Sequence, residues 1–140
     1  MSQEFELHEM LAADTIFIKD LPLSRLVLMN NANHPWFILI PRIEGVKDIY
    51  ELEWQDQAQL LNESSMLSEV LMQLFQGTKM NVAALGNICP QLHMHHIVRY
   101  ETDIDWPHPV WGRSPSIAYD EEQIVEIKGK VLEVINSIIE

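Results

Sequence analysis

Three of the six histidines in this 140-residue chain lie within four consecutive positions, at His93, His95 and His96. If residues 91–99 form a strand, the alternation of side chains places Gln91, His93 and His95 on one face and His96 on the other. Two imidazoles on one surface suit acid–base or nucleophilic chemistry, because histidine titrates near neutral pH and a neutral ring nitrogen can attack phosphorus. The pattern predicts a reactive site at His93 and His95 and a structural role for His96.

Two other interpretations of this histidine pair stay open at this level. A His-x-His pair can ligate zinc or copper, with His108 as a further ligand, but no Cys-x-x-Cys or His-Glu-x-x-His motif completes a site, and we predict none. The pair could also fill a strand with both rings hydrogen-bonded in the core. Gly86, Asn87 and Gln91 favour the reactive site, because a flexible backbone and amide donors suit phosphate oxygens.

The remaining histidines receive no catalytic role from the sequence. His8 and His34 occur in polar segments and are predicted to be solvated surface residues. His108 lies in a proline-rich stretch between Trp106 and Trp111, and these tryptophans could stack on a base or pin the stretch to the protein. The pinning interpretation is favoured.

The elements that would position these residues follow from apolar patterns along the chain. Runs at 15–18, 25–30 and 36–40 predict an antiparallel meander, and leucines at helical spacing predict a long helix over 56–75 that Gly77 would stop. Two further strands are predicted at 80–85 and 92–98. The proline-rich residues 103–115 predict an extended flap, and Asp120 with Gln123 predicts the capped start of a C-terminal helix.

This order of elements predicts an α+β fold with an antiparallel sheet of about five strands, a long helix packed on it and a C-terminal helix. A length of 140 residues without repeats or linkers predicts one domain over 1–140, with its core at about 15–100 and the flap and last helix at 101–140.

The charge balance excludes some classes of partner. The chain has 9 Lys and Arg against 21 Asp and Glu, a formal net charge of −12. Such acidity disfavours nucleic-acid polymers and membrane surfaces. Residues 24–99 carry five basic and seven acidic side chains, so the central region is close to neutral and is compatible with a small nucleotide.

Compartment is predicted from cysteine usage and apolar runs. One cysteine, Cys89, cannot form an intramolecular disulfide, and residues 1–6 lack the basic and then apolar order of a secretory signal. Apolar runs are far shorter than the ~20 residues that span a bilayer. These features predict a soluble, cytoplasmic protein.

The run from Gln91 to Arg99 resembles the signature of the histidine triad (HIT) family, which is His-x-His-x-His followed by apolar residues and commonly Pro-Arg. Matching the downstream end makes His93 the central histidine and His95 the last, and it places Gln91 at the position of the first. The hairpin that ends in Ile40-Pro41-Arg42 also resembles the family's early strand pair. The resemblance covers about residues 15–100, and in particular the chain looks like the bacterial branch labelled diadenosine tetraphosphate hydrolase-like.

The resemblance implies a HIT-like fold and an enzyme that cleaves at the α-phosphate of a dinucleoside polyphosphate or nucleoside phosphoramidate. His93 would attack phosphorus and form a nucleotidyl–imidazole intermediate, while His95 would bind phosphate oxygens and assist the leaving group. Gln91 cannot relay a proton, although its amide could hold a ring or a phosphate oxygen. A catalytically weak nucleotide-binding or sensing protein is therefore the alternative.

The resemblance also implies contacts to the substrate. Asn30 would lie near the ribose, and Asn81, Gly86 and Asn87 would contact phosphate. It further implies a small-molecule nucleotide as the partner and a homodimer as the assembly. No cofactor would be required, although a divalent cation could accompany the substrate phosphates.

Overall fold

The computed structural model describes residues 5–139, so the first four residues of the segment used to argue against a secretory signal lie outside the described part. The described chain begins with α1 (Glu9–Asp14), β1 (Thr15–Asp20), β2 (Ser24–Met29) and β3 (Trp36–Pro41). A short 3-10 helix at Ile49–Glu51 precedes α2 (Trp54–Phe75), which is followed by β4 (Lys79–Ala84), β5 (Met94–Arg99) and α3 (Glu121–Ile138). No helix within residues 5–139 is long and apolar enough to cross a membrane.

The strands form one antiparallel sheet in the order β1-β2-β3-β5-β4. This arrangement confirms the predicted α+β fold with five strands, a long helix and a C-terminal helix. β5 lies between β3 and β4, and its His95 is paired with Ile38 on one side and with Ala83 on the other. Because β5 begins at Met94, His93 comes immediately before the strand.

The two faces of the sheet have different coverings. On the face that we call the helix face, Phe37, Leu39 and Val98 pack into a core with residues of α2 and α3. On the opposite face, which we call the cavity face, Trp36 and Ile97 form a second core with residues from the N-terminal segment, α1 and the 103–119 segment. The sheet is therefore covered by α2 and α3 on one side, and by α1 together with segments that lack regular secondary structure on the other.

The predicted long helix exists, but it ends for a different reason from the one expected. Gln76 adopts the left-handed conformation after Phe75, with φ of 51°, whereas Gly77 does not have positive φ. A Cβ atom at Gly77 would lie 2.3 Å from Cγ1 of Val98. The helix thus ends at the predicted place, but the left-handed residue is Gln76, and Gly77 is required for close approach of the chain to β5.

The C-terminal part of the chain matches the prediction in one element and departs from it in another. Asp120 and Gln123 form the reciprocal capping box that was predicted for α3. The preceding flap has no helix or strand, as expected, but it is a series of turns and not an extended segment. The cause is Asp103, whose carboxylate accepts hydrogen bonds from the backbone N–H groups of Tyr100, Asp105 and Trp106 and so curls the chain.

Candidate active site

His93 and His95 lie side by side at the start of β5 and line one cavity. Their ring centroids are 4.9 Å apart and the ring planes are inclined by 71°. The cavity has a volume of about 290 Å³, and Asp14 is the one charged side chain among its described lining residues. Its other walls include the following residues: Met29, Gly86, Asn87, Cys89 and Trp111. The predicted histidine pair therefore does share a surface, and that surface is concave.

The orientation of His93 is fixed by the main chain. Its Nδ1 lies 2.7 Å from the carbonyl oxygen of Gln91. Because a carbonyl oxygen only accepts, Nδ1 must carry the proton, and in the neutral ring Nε2 then holds a lone pair. Nε2 has no hydrogen-bond partner among residues 5–139. This is the state in which an imidazole can act as a nucleophile.

His95 is held by a side chain from the neighbouring strand. The indole Nε1 of Trp36 donates a hydrogen bond to Nδ1 of His95 over 3.0 Å. Burial, together with the nearby His93 and His96 rings, lowers the pKa of His95 to about 3. The ring is therefore neutral near pH 7, and it can contribute hydrogen bonding but no positive charge.

Alternation was expected to place Gln91 on the same face as His93 and His95, but β5 begins only at Met94, and the side chain of Gln91 does not enter the cavity. Its Oε1 accepts from the backbone N–H of His8 over 2.7 Å, and its Nε2 donates to the carbonyl of Glu6 over 2.9 Å. Both polar ends of the amide are thus engaged with the N-terminal segment. What Gln91 gives to the histidine pair is its main-chain carbonyl, which any residue type would supply.

Two of the four predicted substrate contacts line the histidine cavity. Gly86 and Asn87 form part of its wall. Gly86 has a φ of +76°, and Cβ there would lie 3.2 Å from the carbonyl oxygen of Cys89. A side chain at this position would strain the turn, so glycine is needed to bring the loop over the cavity.

The other two predicted contacts lie elsewhere. Asn30 lines an adjoining cavity of about 340 Å³, which shares Asp14 and Met29 with the histidine cavity. Its Oδ1 accepts from the backbone N–H of Tyr119. Asn81 is not among the residues of either cavity, and its Oδ1 accepts from Nη1 of Arg99 over 2.9 Å. Asn81 thus supports a buried arginine in this structure.

Comparisons with known proteins decide the family. A family model for the HIT domain matches residues 11–102. The chain is 53% identical to a histidine triad protein from Marinobacter aquaeolei VT8, with a TM-score of 0.92 over 95% of this chain and 97% of that one. The chain belongs to the HIT family. A search of curated proteins gave no match.

Two further solved structures of histidine triad proteins agree with this assignment. The protein from Bradyrhizobium japonicum is 40% identical, with a TM-score of 0.91 over 92% of this chain and 96% of that one. The protein from Sinorhizobium meliloti 1021 is 39% identical, with a TM-score of 0.90 and the same coverage of 92% and 96%. Membership of the HIT family supports a nucleotide-binding or nucleotide-hydrolysing function.

In this HIT protein, His96 has the structural role that alternation predicts. It is completely buried on the helix face, where Nε2 lies 2.7 Å from Oγ of Ser64 and Nδ1 lies 3.0 Å from the carbonyl of Met94. Burial lowers its pKa to about 4 in spite of the opposing hydrogen bonds to backbone groups. A neutral ring with both nitrogens bonded connects α2 to the sheet.

The prediction that His34 is solvated was wrong. His34 is 1% exposed, and its Nε2 lies 2.7 Å from Oδ2 of Asp105. The physical reason is that the 103–119 segment folds back and brings Asp105 to a histidine 71 positions earlier in the chain. His8 is half-buried and caps α1 through Nδ1, which accepts from the N–H of Met10, whereas His108 is exposed.

The sequence did not single out Trp36, which contacts a site histidine directly. The signal was present in principle, because alternation along β3 places Trp36 on one face and β3 pairs with β5, but that pairing is not readable from one sequence. Trp111 contacts the sheet, in agreement with the favoured interpretation that the tryptophans pin the flap, and its ring lies edge-on to His95 at 5.1 Å and to Trp36 at 5.8 Å. Its contact with a site histidine was not predicted. Within residues 5–139, no group of three or more His, Cys, Asp or Glu side chains is arranged to hold a metal ion.

Proposed function

We propose that this HIT protein hydrolyses or transfers the nucleotidyl group of a dinucleoside polyphosphate or a nucleoside phosphoramidate through a covalent intermediate on His93. The observation that carries the proposal is the state of His93: Nδ1 is bonded to the Gln91 carbonyl, and Nε2 has no partner within the described residues. Cys89 is a weaker candidate nucleophile in the same wall, because burial raises the pKa of its thiol and keeps it protonated.

The proposed reaction has two displacements at phosphorus. In the first, the Nε2 lone pair of His93 forms a bond to the α-phosphorus while the bond to the leaving oxygen or nitrogen breaks, and the leaving group takes up a proton. In the second, water attacks the same phosphorus and gives up a proton to solvent, which balances the proton taken up by the leaving group; the P–N bond to His93 breaks, its Nε2 regains the lone pair, and the nucleoside monophosphate leaves. His95 would hold a phosphoryl oxygen by hydrogen bonding, and backbone and amide groups of Gly86 and Asn87 would do the same.

The setting of the site supports a small nucleotide. The adjoining cavity at Asn30 and Asn31 lies next to the histidine cavity, so a nucleoside could occupy one and its phosphate the other. We expect the protein to require no cofactor, with a divalent cation accompanying the substrate phosphates where one is needed. We also expect a homodimer, which sedimentation analysis of the purified protein would test.

The test compares wild type with His93→Ala and with His108→Ala as a matched control, since His108 is an exposed histidine outside both cavities. Each protein is incubated with diadenosine polyphosphates and with an adenosine phosphoramidate, and products are separated by chromatography. We expect His93→Ala to lose at least about 10³-fold in turnover and His108→Ala to keep it. Intact-mass measurement should show a nucleotidyl adduct on wild type and on His108→Ala only.

Equal rates for wild type and His93→Ala would overturn the proposal. Calorimetric binding of AMP without any product over hours would also overturn it, and would instead identify a nucleotide-binding protein that does not turn its ligand over.

A further inference from the structure

Trp36 contacts His95 in a way that no other described side chain does. It begins β3, is 5% exposed, and lies diagonally across from His95 because Trp36 itself pairs with Ile97. Its Nε1 is 3.0 Å from Nδ1 of His95, and the two rings meet edge to face at 5.7 Å. Trp111 also contacts the His95 ring edge-on, but it makes no hydrogen bond to it. The two indoles therefore differ in that Trp36 donates a hydrogen bond to His95 and Trp111 does not.

A hydrogen bond from an indole has only one possible direction. The indole N–H is a donor and never an acceptor, so Nδ1 of His95 must present its lone pair to Trp36. A neutral imidazole carries one N–H, and the pKa of about 3 means that the His95 ring is neutral near pH 7. The proton of His95 therefore resides on Nε2.

The two site histidines consequently have opposite tautomers. His93 carries its proton on Nδ1, because that atom faces the Gln91 carbonyl, and it presents a lone pair at Nε2. His95 carries its proton on Nε2 and presents a donor there. A nucleophile and a hydrogen-bond donor placed 4.9 Å apart, ring to ring, suit attack on a phosphoryl group whose oxygens need donors.

We propose that Trp36 is a positioning residue that fixes His95 in the Nε2–H tautomer, so that His95 donates a hydrogen bond to the phosphoryl or leaving group during transfer to His93. The inference about the role of the proton rests on the proposed function; the inference about where the proton resides does not. Without the indole donor, the His95 ring could place its proton on Nδ1, and a lone pair at Nε2 would then face the negative phosphoryl oxygens.

The decisive experiment reads the tautomers directly. Long-range ¹H–¹⁵N correlation spectra of uniformly ¹⁵N-labelled protein show which ring nitrogen of each histidine carries the proton. In wild type we expect protonation at Nε2 of His95 and at Nδ1 of His93, so the two rings are internal references for each other. In Trp36→Phe we expect His95 to lose its single tautomer while His93 keeps its own, and in Trp111→Phe we expect both rings to keep theirs.

Kinetics then show whether the tautomer matters for the reaction. With a substrate that wild type turns over, we expect Trp36→Phe to lower kcat at least about 10-fold, because the fixed donor contributes to the transition state. KM is measured separately, since Trp36 also lines the adjoining cavity. A variant that retains the His95 tautomer in the spectrum overturns the proposal, whatever its activity. A variant that loses the tautomer but keeps wild-type kcat overturns the catalytic part.

Two features keep the test decisive. If Trp36→Phe does not fold, the wild-type protein alone decides the hydrogen bond: a scalar coupling between Nε1 of Trp36 and Nδ1 of His95 supports it, and protonation of Nδ1 overturns it. If wild type turns over no nucleotide, the proposed function fails, while the spectra still report on the tautomer. The two failures are thus distinguishable.

Discussion

His95 and His96 are neighbours in the sequence, yet their rings lie on opposite faces of β5 and differ in their hydrogen bonds. On the helix face, both ring nitrogens of His96 are bonded inside the protein, to Ser64 and to the Met94 carbonyl. On the cavity face, His93 and His95 each use one ring nitrogen, and Nε2 of both rings is without a partner among the described residues. The covering of each face explains the difference, because α2 supplies a hydroxyl where the cavity supplies none.

The comparison teaches that the role of a buried histidine follows from its hydrogen bonds and not from its degree of burial. All three side chains are at least 93% hidden, since their exposures are 7% for His93, 4% for His95 and 0% for His96. A ring with two internal partners has no atom left for a substrate, whereas a ring with one is oriented and still available. The positions around each ring can be altered to test this distinction.

The largest expected effect comes from the far end of the cavity face, at Arg99. This side chain is 1% exposed. Its Nε and Nη2 donate hydrogen bonds to the carboxylate oxygens of Asp103 over 2.9 and 3.1 Å, and its Nη1 donates to Oδ1 of Asn81. Burial raises the pKa of Asp103, but hydrogen bonds from Arg99 and the backbone N–H groups of Tyr100 and Asp105 lower it to about 2. Arg99→Met would leave a buried carboxylate without its cation, and we expect the free energy of unfolding to fall by about 3–5 kcal/mol at pH 7.

The matched control for Arg99 is Arg25, whose pair with Asp20 is also bidentate but lies at the surface. Urea unfolding at pH 7 should show a loss below about 1 kcal/mol for Arg25→Met, because solvent screens an exposed pair. Similar losses for the two variants would mean that the cavity face does not depend on its buried charges.

Much of this architecture is readable from local patterns. The leucine spacing of α2, the capping box of Asp120 and the alternation through residues 94–99 are local signals, and each describes contacts within one element. The resemblance to the family signature additionally predicts the fold, because it identifies the strand at whose start the histidines lie. α1 was not predicted, since six residues are too few to show a helical period.

The parts that could not be predicted are contacts between distant positions. Trp36 reaches His95 across 59 residues, and the Gln91 amide reaches His8 across 83. His34 resembles a turn residue locally, but its environment is set by Asp105. Side-chain partners of this kind depend on strand order and on how the 103–119 segment folds back, and one sequence carries no direct record of either.

A second prediction concerns His96 on the helix face and uses the pH dependence of the free energy of unfolding. The pKa of His96 is about 4 in the folded protein, against a value of 6.5 when the ring is solvated. Above pH 6.5 neither state is protonated, so His96 has no pH effect there. Between pH 6.5 and 4 the unfolded state binds the proton first, which lowers stability as pH falls.

We therefore expect wild type to lose about 2–3 kcal/mol more than His96→Gln between pH 7 and pH 4.5, as measured by urea unfolding at each pH. His108→Gln is the matched control, because it removes a histidine from the exposed surface and should preserve the wild-type dependence. If His96→Gln and wild type lose stability in parallel, the ring is not held neutral between Ser64 and Met94.

The smallest expected effect is at Gln91, where one substitution separates the contribution of the side-chain amide from that of the main-chain carbonyl. Gln91→Ala removes the amide that bonds His8 and Glu6 but keeps the carbonyl that orients His93. We expect the free energy of unfolding to fall by about 1 kcal/mol, with faster hydrogen exchange at the His8 N–H.

For turnover, Gln91→Ala should cost less than about threefold under the proposed function, because the group that holds Nδ1 of His93 belongs to the main chain. A loss beyond about 100-fold would show instead that the amide acts on the substrate, which requires the N-terminal segment to release it. Since both amide ends are engaged at 2.7 and 2.9 Å, that release would have to break two hydrogen bonds at each turnover. The glutamine at the first triad position is thus consistent with activity, because the hydrogen bond that orients His93 is accepted by the backbone carbonyl at this position.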